Sequence, residues 1–176
     1  MTEEKLRKLL NGVQKPGRYT GGELNSVIKD KNNIDVRFAF CFPDTYEIGM
    51  SHLGMKILYS LINNLEWAWC ERVFAPWVDM EKNMIESDTG TFALESLDDI
   101  NEFDIIGFTL QYELCYTNML NMLAMSKIPL FSKDRQSLHN LVVVGGPCTC
   151  NAEPIADFID VAFLGEGEEQ MVEFLK

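Results

Sequence analysis

The chain has 176 residues, 47% hydrophobic and 24% charged, the composition of one globular domain with a core of its own rather than of a disordered segment. Lys and Arg number 15 against 27 Asp and Glu, a formal net charge of −12. That balance excludes a general nucleic-acid surface, which needs a basic face against phosphates, and an anionic-membrane surface.

The opening MTEEKLRKLLNG is charged and amphipathic and lacks the apolar stretch of a signal peptide. No apolar run approaches the ~20 residues of a membrane helix, so a cytoplasmic protein is expected. TEEKLRKLL predicts a short helix with Thr2 as its N-cap. NGVQKPGRYTGGE then reads as an irregular, Gly-rich crossing. Residues 1–30 are thus expected to form a leader to a domain over 31–176.

Lys31, Asn32 and Asn33 make a turn before Ile34 to Phe42, an apolar and aromatic strand stopped by Pro43. In MSHLGMKILYSLINNL, Leu53, Ile57, Leu58, Leu61, Ile62 and Leu65 recur at helical spacing. Cys70 to Ala75 predicts a second strand, and Asp79 to Ser87 and Ser96 to Glu102 two helices. Phe103 to Leu110 reads as a third strand, apolar enough to be covered on both faces. A Leu- and Met-rich helix follows over Glu113 to Ser126. Leu141 to Val144 is the fourth strand, Pro154 to Phe158 a short helix, Val161 to Leu164 the fifth strand, and Glu168 to Lys176 opens a last helix. Apolar strands alternating with helices predict an α/β, Rossmann-like, doubly wound sheet, mainly parallel, of about five strands flanked by helices. Ligands of such sheets sit beyond the carboxyl ends of the strands.

The loops at that edge exclude several chemistries. No G-x-G-x-x-G follows the first strand, and Gly165 and Gly167 alternate with carboxylates that repel a phosphate. A phosphorylation receiver would draw on Asp44 and Glu47, but the third strand ends GFTLQ, with no acceptor carboxylate. His139 reads as a solvated loop residue and His52 as a partly buried helix-face residue. Five cysteines scattered in apolar surroundings suggest reduced thiols. Cys148 and Cys150 supply only two of the four ligands that tetrahedral zinc takes. In LVVVGGPCTC, Gly145 and Gly146 permit unusual backbone conformations and leave no side chain above the loop, and Pro147 stiffens its exit. A ligand platform and a tight turn are both open on those residues.

RFAFCFPDTYEIGMSHLGMKILYSLINN, WCERVFAPWVDME, FDIIGFTLQYELCYTNMLNML, VVVGGPCTCNAEPIADFID and FLGEGEE together resemble the N-terminal, cobalamin-binding-like region of a bacterial radical S-adenosylmethionine protein family. The resemblance runs from about Arg18 to the last residue. It implies an accessory domain preceding a barrel whose C-x-x-x-C-x-x-C holds an iron-sulfur cluster that cleaves S-adenosylmethionine. It further implies that a cobalamin would lie across the carboxyl edge, bordered by Pro43, Asp44, Tyr46, Gly49, Leu110, Gln111, Gly145, Gly146 and Pro147. Gly165 and Gly167 would stand at the domain junction. Phe42, Tyr46, Met50, Leu110, Tyr112 and Met119 are candidates to pack the corrin or the core.

This chain departs from the pattern twice. It has no C-x-x-x-C-x-x-C, so by itself it is expected neither to hold the cluster nor to cleave S-adenosylmethionine. The partner would be a catalytic barrel in cis or in trans, and an uncovered apolar face would favour self-association. A D-x-H-x-x-G cobalt-ligand motif is also missing, since Met50 and Met55 stand at the Asp and Gly positions around His52. Two further readings are an interaction module with a vestigial pocket, using exposed Trp69, Trp77 and Tyr116, and a thiol metal binder using Cys148 and Cys150.

Overall fold

Side chains alternate between faces along a strand, and a parallel sheet has to be covered on both. The computed structural model describes residues 1–176 and shows that alternation directly. In β1 (Val36–Phe42), Phe38, Phe40 and Phe42 face one way and Ala39 and Cys41 the other, and all five are buried. The other strands are β2 (Ala68–Phe74), β3 (Ile105–Thr109), β4 (Leu141–Gly145) and β5 (Val161–Ala162). All pairings are parallel, in the order β2-β1-β3-β4-β5. The fold is therefore an α/β, Rossmann-like sheet whose order switches between β1 and β3.

Each face has its own helices. Ala39, Cys41, Ile106, Val142 and Val144 pack against Met119, Met122 and Leu123 of α5 (Tyr116–Met125). Phe38, Phe40 and Val143 pack against Met55, Tyr59 and Ile62 of α3 (Leu53–Asn63) and Met171 of α6 (Gly167–Phe174). The amino-terminal helix, α1 (Glu3–Leu9), has the expected Thr2 cap, whose hydroxyl accepts from the Lys5 N–H. Its Leu6 and Leu9, with Val13 and Tyr19, pack on Met80 and Met84 of α4 (Val78–Glu86). The leader thus lies against the body of the domain. No helix is long and apolar enough to cross a membrane.

Several expected elements change shape for identifiable reasons. The helical pattern around MSHLGMK is broken at His52 into α2 (Tyr46–Ser51) and α3, because the His52 ring turns back to cap the second helix. Ser96 to Glu102 is not a helix. Only Ile100–Glu102 makes a 3-10 turn; before it the chain doubles back through a turn at 94–96, with Leu97 at φ +62° and Phe92 bridging Asp99 antiparallel. Pro154 to Phe158 is likewise part of a 3-10 segment, Glu153–Phe158. The fifth strand stops at Ala162. Trp69, expected at an exposed docking face, is buried, and its indole N–H donates to the Val27 carbonyl at 2.9 Å.

The segment at 91–98 covers the outer edge of the sheet. β2 is an edge strand, yet all seven of its residues are buried. The Leu94 N–H donates to the Arg72 carbonyl at 2.9 Å, and the Arg72 N–H donates to the Glu95 carboxylate at 2.7 Å. Covering an edge in this way removes a template for unwanted strand pairing. The Arg72 guanidinium is held by Glu95 at 2.6 Å and Glu23 at 2.8 Å. On the opposite face, Arg37 pairs with Glu71 and Asp98 and stacks on the Phe103 ring.

Removing one partner of a buried pair leaves the other charge uncompensated, at a cost of about 3–5 kcal/mol. Glu95→Ala is expected to lower stability by about that amount, read from the urea unfolding midpoint. Lys82→Ala, at an exposed helical pair, is expected to change it by less than about 0.5 kcal/mol. Equal effects of the two substitutions would contradict this role for the buried pair.

Candidate functional site

On the α3–α6 side of the sheet, positions that alternate with Ile105 and Leu141 run Gly107, Thr109 on β3 and Val143, Gly145 on β4. Two of the four carry no side chain. A Cβ on Gly107 would lie 2.2 Å from the Phe38 ring, so the Phe38 ring occupies that dent in the sheet. A Cβ on Gly145 would meet nothing within 4 Å. Next to these positions a cleft of about 280 Å³ opens between the starts of α3 and α6. Phe40, Leu58, Val143, Phe163 and Met171 make it apolar, while Thr109, Gln111 and His52 line it with polar groups.

The loop after β4 is held tightly. Gly146 has φ +98°, and a Cβ there would come within 2.8 Å of the Leu110 carbonyl oxygen, so glycine is required by both conformation and space. The Leu110 N–H donates to Gly145, and the Leu110 carbonyl accepts from the Cys148 N–H at 3.2 Å. The Thr149 hydroxyl shares its proton between the carbonyls of Gly146 at 2.6 Å and Phe163 at 2.9 Å, tying this loop to the exit of β5. Gly165, with φ +96°, makes the turn into α6. The fold itself needs Gly146 and Gly165; Gly145 is open to whatever approaches from outside.

His52 has a definite duty. Its Nδ1 accepts the Met55 N–H at 3.2 Å, capping α3, and its ring lies 5.5 Å from that of Phe42. With the Nδ1 lone pair occupied, the neutral ring carries its proton on Nε2 and presents a donor there, not a metal ligand.

The structure divides the expected site residues into two groups. Gln111, Gly145, Gly146, Pro147, Gly165 and Gly167 all line the cleft. Pro43, Asp44, Tyr46, Gly49 and Leu110 do not. Pro43 is buried, and its carbonyl accepts from Asn118 at 3.0 Å. Leu110 is fully buried. Tyr46 turns away, donating to Glu23 at 2.8 Å with its ring on Phe74, and Gly49 is covered by the Phe74 ring. Asp44 accepts from the Tyr112 hydroxyl at 2.7 Å, a latch between the loops after β1 and β3 that leaves the cleft open. Phe38, Phe40, Gly107 and Phe163 line the cleft without having been expected there. The one signal for them was a glycine in the middle of an apolar strand, at Gly107.

The five cysteines are all free thiols. Cys41 and Cys70 are fully buried, which pushes both thiols well up from their ordinary values. Cys115 is buried, Cys148 partly exposed and Cys150 exposed. No three His, Cys, Asp or Glu side chains come together as a metal site.

A family model described as radical SAM proteins, N-terminal, matches residues 54–176. An uncharacterized protein of Methanocaldococcus jannaschii is 29% identical over 133 residues, which cover 74% of this chain and 24% of the relative. The chain thus corresponds to about a quarter of that relative's length. No solved structure matches it significantly.

The Asp44 carboxylate, by accepting the hydrogen bond, and then partial burial push the Tyr112 phenol up to about 12. Because the folded value is raised, the latch contributes fully below the ordinary phenol value near 10 and is lost as the pH rises through about 12. In Asp44→Asn, Tyr112 is expected to titrate nearer 10, followed by the phenol carbon NMR shift; an unchanged titration would show that the latch does not form.

Proposed function

The chain belongs to the family of radical SAM proteins, as their N-terminal region, and on that premise we propose that it is an accessory domain of a radical S-adenosylmethionine enzyme. In this reading it holds a corrinoid at the cleft between α3 and α6 and packs on the catalytic barrel. The observation that carries the reading is the apolar cleft at the carboxyl edge beside Gly107 and Gly145, the latter with open space above it. The switch point of a doubly wound sheet is where such folds accept ligands.

A corrinoid is far larger than a cleft of about 280 Å³, so in this reading the cleft seats only one edge of the macrocycle, and its lining offers nothing to the cobalt. Gly145, Gly146 and Pro147 form a platform without bulky side chains, and Phe40, Leu58 and Phe163 give the cleft apolar walls. Gln111 is oriented by its donation to the Thr109 hydroxyl at 2.7 Å, which leaves its side-chain carbonyl free to accept. His52 keeps its capping bond. A corrinoid held here would supply cobalt-centred chemistry to a substrate in the barrel. The iron-sulfur cluster and S-adenosylmethionine would belong to that barrel, in cis or in trans, since this chain has no cluster motif.

A second reading has its own observation. Ile48, Trp77, Val78, Tyr112 and Leu114 are exposed apolar or aromatic residues on or beside the loops that follow β1, β2 and β3. An edge of that character suits docking against another domain, with or without a cofactor.

The test is retention of hydroxocobalamin. The purified protein is mixed with it and desalted, and the visible spectrum is recorded. Stoichiometric corrin absorbance is expected for the wild type and for His52→Ala, and its loss for Gly145→Trp, which blocks the cleft from a position with open space. Colourless wild-type protein would overturn the corrinoid reading and leave the docking one.

A further inference from the structure

A second cavity, of about 740 Å³, lies away from the cleft, between the crossing segment at residues 23–27 and the helices at 46–63. Its volume falls in the range of small-molecule sites. Arg72 stands in its wall, with only 8% of its side chain exposed. The Nε of Arg72 donates to Glu95 at 2.6 Å, and Nη2 donates to Glu23 and to Ser26, each at 2.8 Å. Nη1 has only the thioether sulfur of Met50, at 3.3 Å. A thioether is a weak acceptor, and Nη1 carries two N–H groups. A buried guanidinium is therefore left with donor capacity that no protein oxygen meets, on the wall of a cavity.

The cavity is preorganised. Glu23 is fixed by Tyr46, Ser26 and Arg72 together. Val27 donates to the Tyr59 hydroxyl at 2.8 Å, and that hydroxyl donates to Glu95 at 3.0 Å. These bonds hold the crossing segment off α3. At the rim, Lys56, Ser60 and Asn64 are exposed and make no side-chain bond within the protein. Walls locked by their own hydrogen bonds are what a binding site needs to avoid an ordering cost.

The charge around Arg72 selects the ligand. Two carboxylates, Glu23 and Glu95, already flank the guanidinium. A third anion would be repelled by both, whereas an uncharged oxygen accepts from Nη1 without that penalty. We propose that this cavity is a second ligand site, taking a small neutral molecule whose amide or lactam carbonyl accepts from Arg72 Nη1. The site is independent of the cleft between α3 and α6, so either can fail without the other.

Nicotinamide and nicotinate are suitable probes, alike in shape and different in charge. Each is titrated separately into the full chain, followed by 1H–15N NMR. Nicotinamide is expected to give saturable shifts at residues 23–27, 49–50 and 59–60, with a Kd about tenfold or more below that of nicotinate. Ser60→Trp, at an exposed helix position on the rim, is expected to abolish those shifts while the remaining spectrum stays folded. Absence of saturable shifts, so that the cavity holds water only, would overturn the proposal. So would nicotinate binding as well as nicotinamide, or shifts that persist in Ser60→Trp.

Discussion

A parallel sheet must be covered on both faces, and here the two covers are unequal. The face on α5 is closed by Met119, Met122, Leu123 and Ile155. The opposite face is covered by α3 and by α6, which begins only after the Gly165 turn. Between the two helix starts, near the carboxyl ends of β3 and β4, no side chain fills the space beside Gly145. The cleft is thus a consequence of where α6 starts and of which strand positions lack a Cβ. Its shape follows from the packing of the whole layer.

The outer edge meets a different requirement, that the backbone of β2 not be left bare. β2 would be a bare edge strand without the segment at 91–98, which is bonded to it through Arg72 and Glu95. Burial pushes the Glu95 carboxyl up from its ordinary range, and the adjacent Arg72 opposes that shift. One guanidinium therefore joins three distant segments, at Glu23, Met50 and Glu95. The leader is part of this closure, since Glu23, Ser26 and Val27 all take part in it. Charge pairs cover the backbone of the outer edge strand, whereas glycines leave the cleft beside β3 and β4 open.

Much of this was legible in the sequence because it depends on local pattern. The apolar runs of β1, β3 and β4 and the helical spacing after Leu53 are short-range signals, and each produced its element. Gly146 was legible for the same reason, since its positive φ is a property of the loop itself. What was not legible depends on distant partners. CERVF gives no sign that Glu71 and Arg72 are buried, because Arg37, Glu23 and Glu95 lie far along the chain. Trp69 goes inside for the same reason, its indole finding Val27. The loop after β1 follows its strand directly, yet Tyr46 is drawn away from the cleft by Glu23 and Phe74. His52 interrupts a continuous helical pattern through a side-chain cap that hydrophobic spacing does not register.

Hydrogen–deuterium exchange with and without hydroxocobalamin tests most directly whether the carboxyl-edge cleft is the face that would hold the proposed corrinoid. Slower exchange is expected at residues 109–112, 145–148 and 165–168, with residues 23–27 and the segment at 91–98 unchanged. Unaltered exchange at the cleft loops, or protection confined to the outer edge, would contradict that placement.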